Sequence, residues 1–139
     1  GEGLVTALNE AMAMAGVSPA EVDYVNAHGA SMQPNDKTET AALRKVFGEQ
    51  ALGLKVSSTK GALGHMQGAS GGVEAAVACK VLQTGVIPPT SNYETADPEC
   101  DLDYVPNAKH VADAPFNVAI SESLGFGGHN AALVFKRRE

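Results

Sequence analysis

Residues 55–85 read KVSSTKGALGHMQGASGGVEAAVACKVLQTG, and the reading of this stretch decides the fold. Lys55 to Thr59 is a short strand that runs into glycine-flanked residues. From about Gly64 to Thr84 the chain is rich in Gly, Ala and Val, with only Glu74 and Lys80 charged. That composition predicts a long and largely buried helix, closed by Gly85. A strand followed by a buried helix is a unit of a layered α/β domain.

Outward from this unit the pattern repeats. Leu4, Val5, Leu8, Met12 and Ala15 form one stripe, so residues 4–15 are an amphipathic helix stopped by Gly16. Ser18-Pro19-Ala20-Glu21 reads as a capping box over a single short turn. Val22 to Ala27 is a buried strand ending at His28-Gly29. Asp36 to Phe47 is a helix capped by Asp36, with Leu43, Val46 and Phe47 inward and Gly48 as its stop. Residues 86–116 carry Pro88, Pro89, Pro98, Pro106 and Pro115 and read as connection, with a small strand near Leu102–Val105. Val118–Ile120 and Ala131–Phe135 are strands joined through Gly125-Phe126-Gly127-Gly128. The expected architecture is one α/β domain with a mixed sheet layered with helices.

Composition narrows the function classes. With 139 residues the chain is one domain's length, and 44% hydrophobic with 19% charged residues is ordinary globular usage. A net charge of −6 argues against nucleic acid as a partner. No apolar run reaches the ~20 residues of a membrane span. Cys79 and Cys100 show no CxxC spacing, which fits a reducing, cytoplasmic compartment without a disulfide framework. No two histidines share close helical spacing, so metal binding is a weak reading.

Three glycine-rich segments each place a polar residue just past a strand: Asn26-Ala27-His28-Gly29, Ser57 to His65, and Gly125 to Asn130. Strand ends of layered α/β folds converge on one sheet edge, where sites form. Taken singly, His28 reads as an ordinary polar residue after a strand and Lys60 as a surface lysine. Taken together, His28, Lys60, His65 and the Phe126 turn form a candidate constellation. A helix amino terminus disfavours imidazolium, and a neutral imidazole at His65 would donate a hydrogen bond to a developing oxyanion. Glu74 in the buried helix needs a partner, for which Lys60 is the choice, unless Glu74 reaches solvent at a helix edge.

These segments, together with Gly68-Ala69, Ile87-Pro88-Pro89-Thr90 and Asp97 to Tyr104, resemble the β-ketoacyl-(acyl-carrier-protein) synthases of fatty-acid and polyketide assembly. The resemblance covers essentially the whole chain and implies the carboxy-terminal half of a thiolase-like fold. Residues 1–139 are then that half, and the amino-terminal ketosynthase half with its nucleophilic cysteine is expected elsewhere. The resemblance also implies a decarboxylating Claisen condensation on acyl-carrier-protein substrates, in a homodimer when complete, with no metal and no other cofactor. Within it His28 and His65 match the two catalytic histidines, and Lys60 matches the supporting lysine with Glu74 beside it. Phe126 matches a gating residue whose backbone amide joins the oxyanion hole, with Gly127 next to it.

The sequence departs from that family at four positions. Ala30 and Met32 stand where threonines usually bind the pantetheine arm, and Glu122 and Leu124 replace the common Asn and Phe. Neither cysteine fits the nucleophile: Cys79 is expected in the core, and Cys100 lies between Glu99 and Asp101, where charge disfavours a thiolate. The isolated chain is therefore expected to be inactive and to leave an apolar face uncovered. A non-catalytic, chain-length-type or structural partner of a complete synthase is the rival reading. Gly68-Ala69-Ser70-Gly71-Gly72 imitates a nucleophile elbow, but Ser70 falls in an expected helix rather than after a strand.

Overall fold

The computed structural model describes residues 1–138. Helix α1 (Glu2–Ala15) buries Leu4, Leu8 and Met12, one stripe at helical spacing. Gly16 stops it in the left-handed region (φ 63°), and the Val17 amide donates to the Met12 carbonyl at 2.9 Å. In the turn that follows, the Ser18 amide and hydroxyl both donate to Glu21 Oε2, at 2.8 and 2.7 Å. Strand β1 (Tyr24–Asn26) and helix α2 (Gln33–Phe47) come next, then β2 (Lys55–Ser57), the single-turn α3 (Lys60–Leu63) and α4 (Ser70–Thr84). The chain ends in a short pair, β3 (Val86–Ile87) with β4 (His110–Val111), and a long hairpin, β5 (Val118–Gly125) with β6 (His129–Lys136).

The main sheet runs β2-β1-β5-β6, with β1 parallel to both neighbours and β6 antiparallel to β5. It is the mixed sheet expected from the sequence. Alternation along the strands sends side chains into two cores. Val25, Val118 and Ile120 face α1 and α2, in a cluster with Leu8 and Leu43. Tyr24 and Ala119 face α4, in a cluster with Ala78 and Val81. Each such large side chain contributes about 1.5–3 kcal/mol of burial free energy, so both faces of the sheet are firmly covered. None of the described helices is long and apolar enough to cross a membrane.

Four details differ from the sequence reading. The helix expected from Gly64 begins only at Ser70, because Gly64 (φ 75°) and Gln67 (φ 52°) take left-handed conformations that interrupt it. Helix α2 begins at Gln33 with Met32 as its cap, so Asp36 lies inside the first turn and does not cap it. Leu102–Val105 makes no strand; Asp103 forms an isolated bridge to Lys55, and the Val56 amide donates to the Asp103 carbonyl at 2.9 Å. Helix α4 is buried along Ser70, Glu74, Ala78, Val81 and Leu82, and Cys79 lies exposed on its other side rather than in the core.

Candidate active site

His28 sits two residues past the end of β1. Its backbone amide donates to Glu39 Oε1 at 2.6 Å, and the next amide, Gly29, donates to Glu39 Oε2 at 2.9 Å. A buried carboxylate on α2 thus grips the bend with both oxygens. Gly29 has φ 43°, and a Cβ there would meet Ser58 Cβ at 2.5 Å, so the bend requires glycine. Ser58 Oγ closes the other side by donating to the Gly29 carbonyl at 3.0 Å.

The His28 side chain is buried and its Nδ1 has no hydrogen-bond partner. Burial first, then the Lys60 ammonium and His65, push its pKa down to about 4. His28 is therefore a neutral imidazole at neutral pH. His65 lies edge-on to it, with ring centroids 5.3 Å apart at an interplanar angle of 78°. His65 is exposed and stands between α3 and α4, not within a helix. Its orientation comes from local donors instead. Nδ1 accepts the Gln67 amide at 3.0 Å and lies 3.2 Å from Ser70 Oγ, which itself accepts the Met66 amide at 2.9 Å. With Nδ1 accepting, the ring hydrogen sits on Nε2.

Lys60 opens α3, and its ammonium forms an ion pair with Glu74 Oε1 from α4. Both side chains are almost fully enclosed, at 6% and 2% exposure. Glu74 does not reach solvent. A buried pair of this kind keeps a positive charge close to the histidines without leaving it uncompensated. Below it, Asn26 Nδ2 donates to the Tyr24 hydroxyl at 3.0 Å, and that hydroxyl lies 2.9 Å from Ser57 Oγ. Burial pushes the Tyr24 phenol up to about 12, so it remains a neutral link in this chain.

The structure brings His28, His65, Lys60 and Glu74 together. Among the described residues, the side chains of Phe126 and Met32 make no hydrogen bond, ion pair or ring contact with these four, and both are exposed. Phe126 stands 95% exposed at the β5–β6 turn, where Gly127 (φ 80°) and Gly128 (φ 83°) supply the bend. Met32 is exposed at the start of α2, and Ala30 is half-buried just beyond Gly29. A cavity of about 620 Å³ opens on the far side of the His28 bend, lined by Gly29, Glu39, Ser58, Lys60 and Tyr104 among others; neither histidine lines it. Cys100 borders this cavity, and burial, more than its acidic neighbours, pushes its thiol up. Among the described residues no group of three or more His, Cys, Asp or Glu side chains is arranged to hold a metal ion.

Sequence reasoning missed two residues that build this site. Glu39 falls within the expected helix Asp36–Phe47, and its hold on the His28 and Gly29 amides depends on a tertiary approach of α2 to the end of β1. Ser70 read as helix packing, although its hydroxyl orients His65. The acid at position 39 in a helix otherwise closed by Leu43 and Phe47 was the available signal for the first.

Comparison with known proteins places these features in a family. Residues 1–94 match the family described as Beta-ketoacyl synthase, C-terminal domain. The 3-oxoacyl-[acyl-carrier-protein] synthase 2 of Staphylococcus aureus (strain COL) is 49% identical over all 139 residues, which span 33% of that protein. Among solved structures, the ishigamide ketosynthase/chain length factor superposes with a TM-score of 0.93 at 35% identity, over 99% of this chain and 33% of that one. A type II polyketide ketosynthase in complex with its acyl-carrier protein, bound to the hexaketide, superposes at 0.90 with 35% identity, over 96% of this chain and 32% of that one. The chain thus spans about a third of the length of the proteins it matches and shares their thiolase-like fold. On the residues matched, the identity and the superposition, this chain belongs to the β-ketoacyl synthase family and corresponds to its carboxy-terminal domain.

Proposed function

We propose that this chain supplies the decarboxylating side of a condensing active site, completed by an amino-terminal ketosynthase half that carries the nucleophilic cysteine. The observation that carries the reading is the His28–His65 pair: two imidazoles in edge contact, one held neutral by burial, beside an enclosed Lys60–Glu74 ion pair. Neutral N–H donors aimed at one point stabilise a charge that develops only in the transition state. A malonyl thioester on acyl-carrier protein would lose its carboxylate as CO2, the C–C bonding pair passing to the α-carbon and thioester oxygen. His28 and His65 would hold that enolate oxygen. The α-carbon would then attack the acyl-cysteine carbonyl carbon, forming the new C–C bond and releasing the cysteine thiolate. Lys60 supports the field around both rings, with Glu74 holding it in place, and Phe126 with Gly127 would close over the acyl group only when the other half is present. Ala30 and Met32 would line the approach of the pantetheine arm.

The reading is tested by condensation between acyl- and malonyl-carrier substrates, using the chain alone and mixed with a matching amino-terminal half. Activity is expected only in the mixture, and His28→Ala or His65→Ala should abolish it. A properly assembled but inactive mixture would instead favour a non-catalytic, chain-length-type partner, a role consistent with the ketosynthase/chain length factor assemblies to which the chain is similar.

A further inference from the structure

Glu122 lies in the middle of β5, opposite Ala132 of β6, and is completely buried. Neither of its carboxyl oxygens accepts a hydrogen bond from an N–H or hydroxyl donor, and the carboxyl of Glu39 lies within its hydrogen-bonding reach. It shares the sheet face of Val118 and Ile120, which packs against α2, the helix that carries Glu39. An orphaned carboxyl in a packed core is strongly disfavoured in its ionised form. Its electrostatic surroundings make ionisation worse. Glu39 of α2 confronts it with a like charge, and the one opposing charge, Lys60 of α3, is already committed to Glu74 of α4. β6 brings only the uncharged Ala132. Asp36, also on α2, adds a further negative charge near Glu39.

Burial raises the Glu39 carboxyl as well, but each of its oxygens accepts a backbone amide of the His28 bend, which favours its charged form, whereas Glu122 has no such amides and is raised further. We propose that Glu122 is a positioning residue for His28: as a neutral carboxylic acid it backs the Glu39 carboxylate, so that one proton shared by the pair keeps the His28 and Gly29 amides held. The neutral acid removes the like-charge contact and supplies a hydrogen that Glu39 can accept beside its two amides. Burial, and then Glu39, push the Glu122 carboxyl well above its ordinary value, in the direction this requires. Glu122 touches no substrate and acts only through Glu39 on the bend. Its bearing on catalysis rests on the condensation reading, whereas the shared proton and the hold on the amides do not.

The sign of the pH dependence follows from linkage. The folded chain keeps a proton on Glu122 that an opened bend releases above the ordinary glutamate value of 4.5. The stability that Glu122 contributes to the bend is therefore fully present at low pH and is lost as pH rises towards the raised value, while the buried His28 ring acts in the opposite sense below 6.5. Amide hydrogen exchange of the 139-residue chain reads this directly. Protection of the His28 and Gly29 amides, corrected for intrinsic exchange, should fall about tenfold per pH unit from 6.5, above which the His28 ring no longer opposes the trend, up to the raised value, and Glu122→Gln should flatten that slope. Infrared difference spectra should show a protonated carboxylic acid at neutral pH in the unsubstituted chain, lost in Glu122→Gln. A pH-independent protection in the unsubstituted chain, the absence of that carbonyl band, or its persistence in Glu122→Gln would each overturn the proposal. The first two need no variant, so they decide the matter even if Glu122→Gln does not fold.

Discussion

His28 and His65 meet edge to face, yet they are held by opposite means. His28 is fixed through its backbone, at a strand end gripped by Glu39, and its ring is buried with Nδ1 unpartnered. His65 is exposed, and it is fixed through its ring by donors within five residues of itself. The first histidine depends on the tertiary arrangement of β1, α2 and β5. The second depends on a local turn ahead of α4. A neutral and a locally oriented imidazole are thus built by two independent routes, and damage to one support should leave the other ring largely in place.

The largest effect is expected between the two rings, at the ion pair they share. Lys60→Met would leave Glu74 buried without its partner, and a loss of about 3–5 kcal/mol in chemical-denaturation stability is expected. A near-neutral outcome would mean that the pair is not enclosed as described. Next comes the His28 route. Gly29→Ala forces a Cβ into Ser58 in a left-handed bend, with an expected cost of about 1–3 kcal/mol and loss of protection at the His28 amide. His65 should keep its Nε2–H tautomer in that variant, as nitrogen-15 imidazole shifts would report. Ser70→Ala is the complementary change on the His65 route. It removes the hydroxyl's contacts with the Met66 amide and His65 Nδ1 and should cost only about 0.5–1.5 kcal/mol, while His28 is unaffected.

A titration sharpens the same contrast without any substitution. The folded-state pKa of His28 is lowered from 6.5 to about 4, so the folded chain excludes a proton that the unfolded chain binds. The stability this contributes is complete above 6.5 and is lost as pH falls from there towards 4. A His28 ring signal that titrates near 6.5 in the folded chain would contradict the burial described here.

Much of this arrangement is written locally and could be read along the chain. The stripe of α1, the left-handed stop at Gly16, the strand before His28 and the hairpin around Gly125–Gly128 each depend on near neighbours in sequence. The break between α3 and α4 was not legible, because the Gly-, Ala- and Val-rich composition from about Gly64 to Thr84 reads as one buried helix and the left-handed φ at Gln67 belongs to no residue preference. Cys79 was expected in the core because α4 looks apolar all round, whereas the fold of this chain covers only one of its sides. Asp36 was taken as a cap because it is a good capping residue, but Pro34 allows the helix to begin a turn earlier. The Glu39–Glu122 relation joins α2 to β5 across 83 residues, 122 minus 39, and no local pattern announces such a pairing.

The most direct test of the account is CO2 release from malonyl-carrier protein by the chain assembled with an amino-terminal ketosynthase half, measured alongside acylation of that half's cysteine. The account predicts that His28→Ala and His65→Ala each lower CO2 release by about 10²–10³-fold while the cysteine is still acylated. Undiminished CO2 release in both variants would contradict it, and would remove the histidine pair from the chemistry altogether.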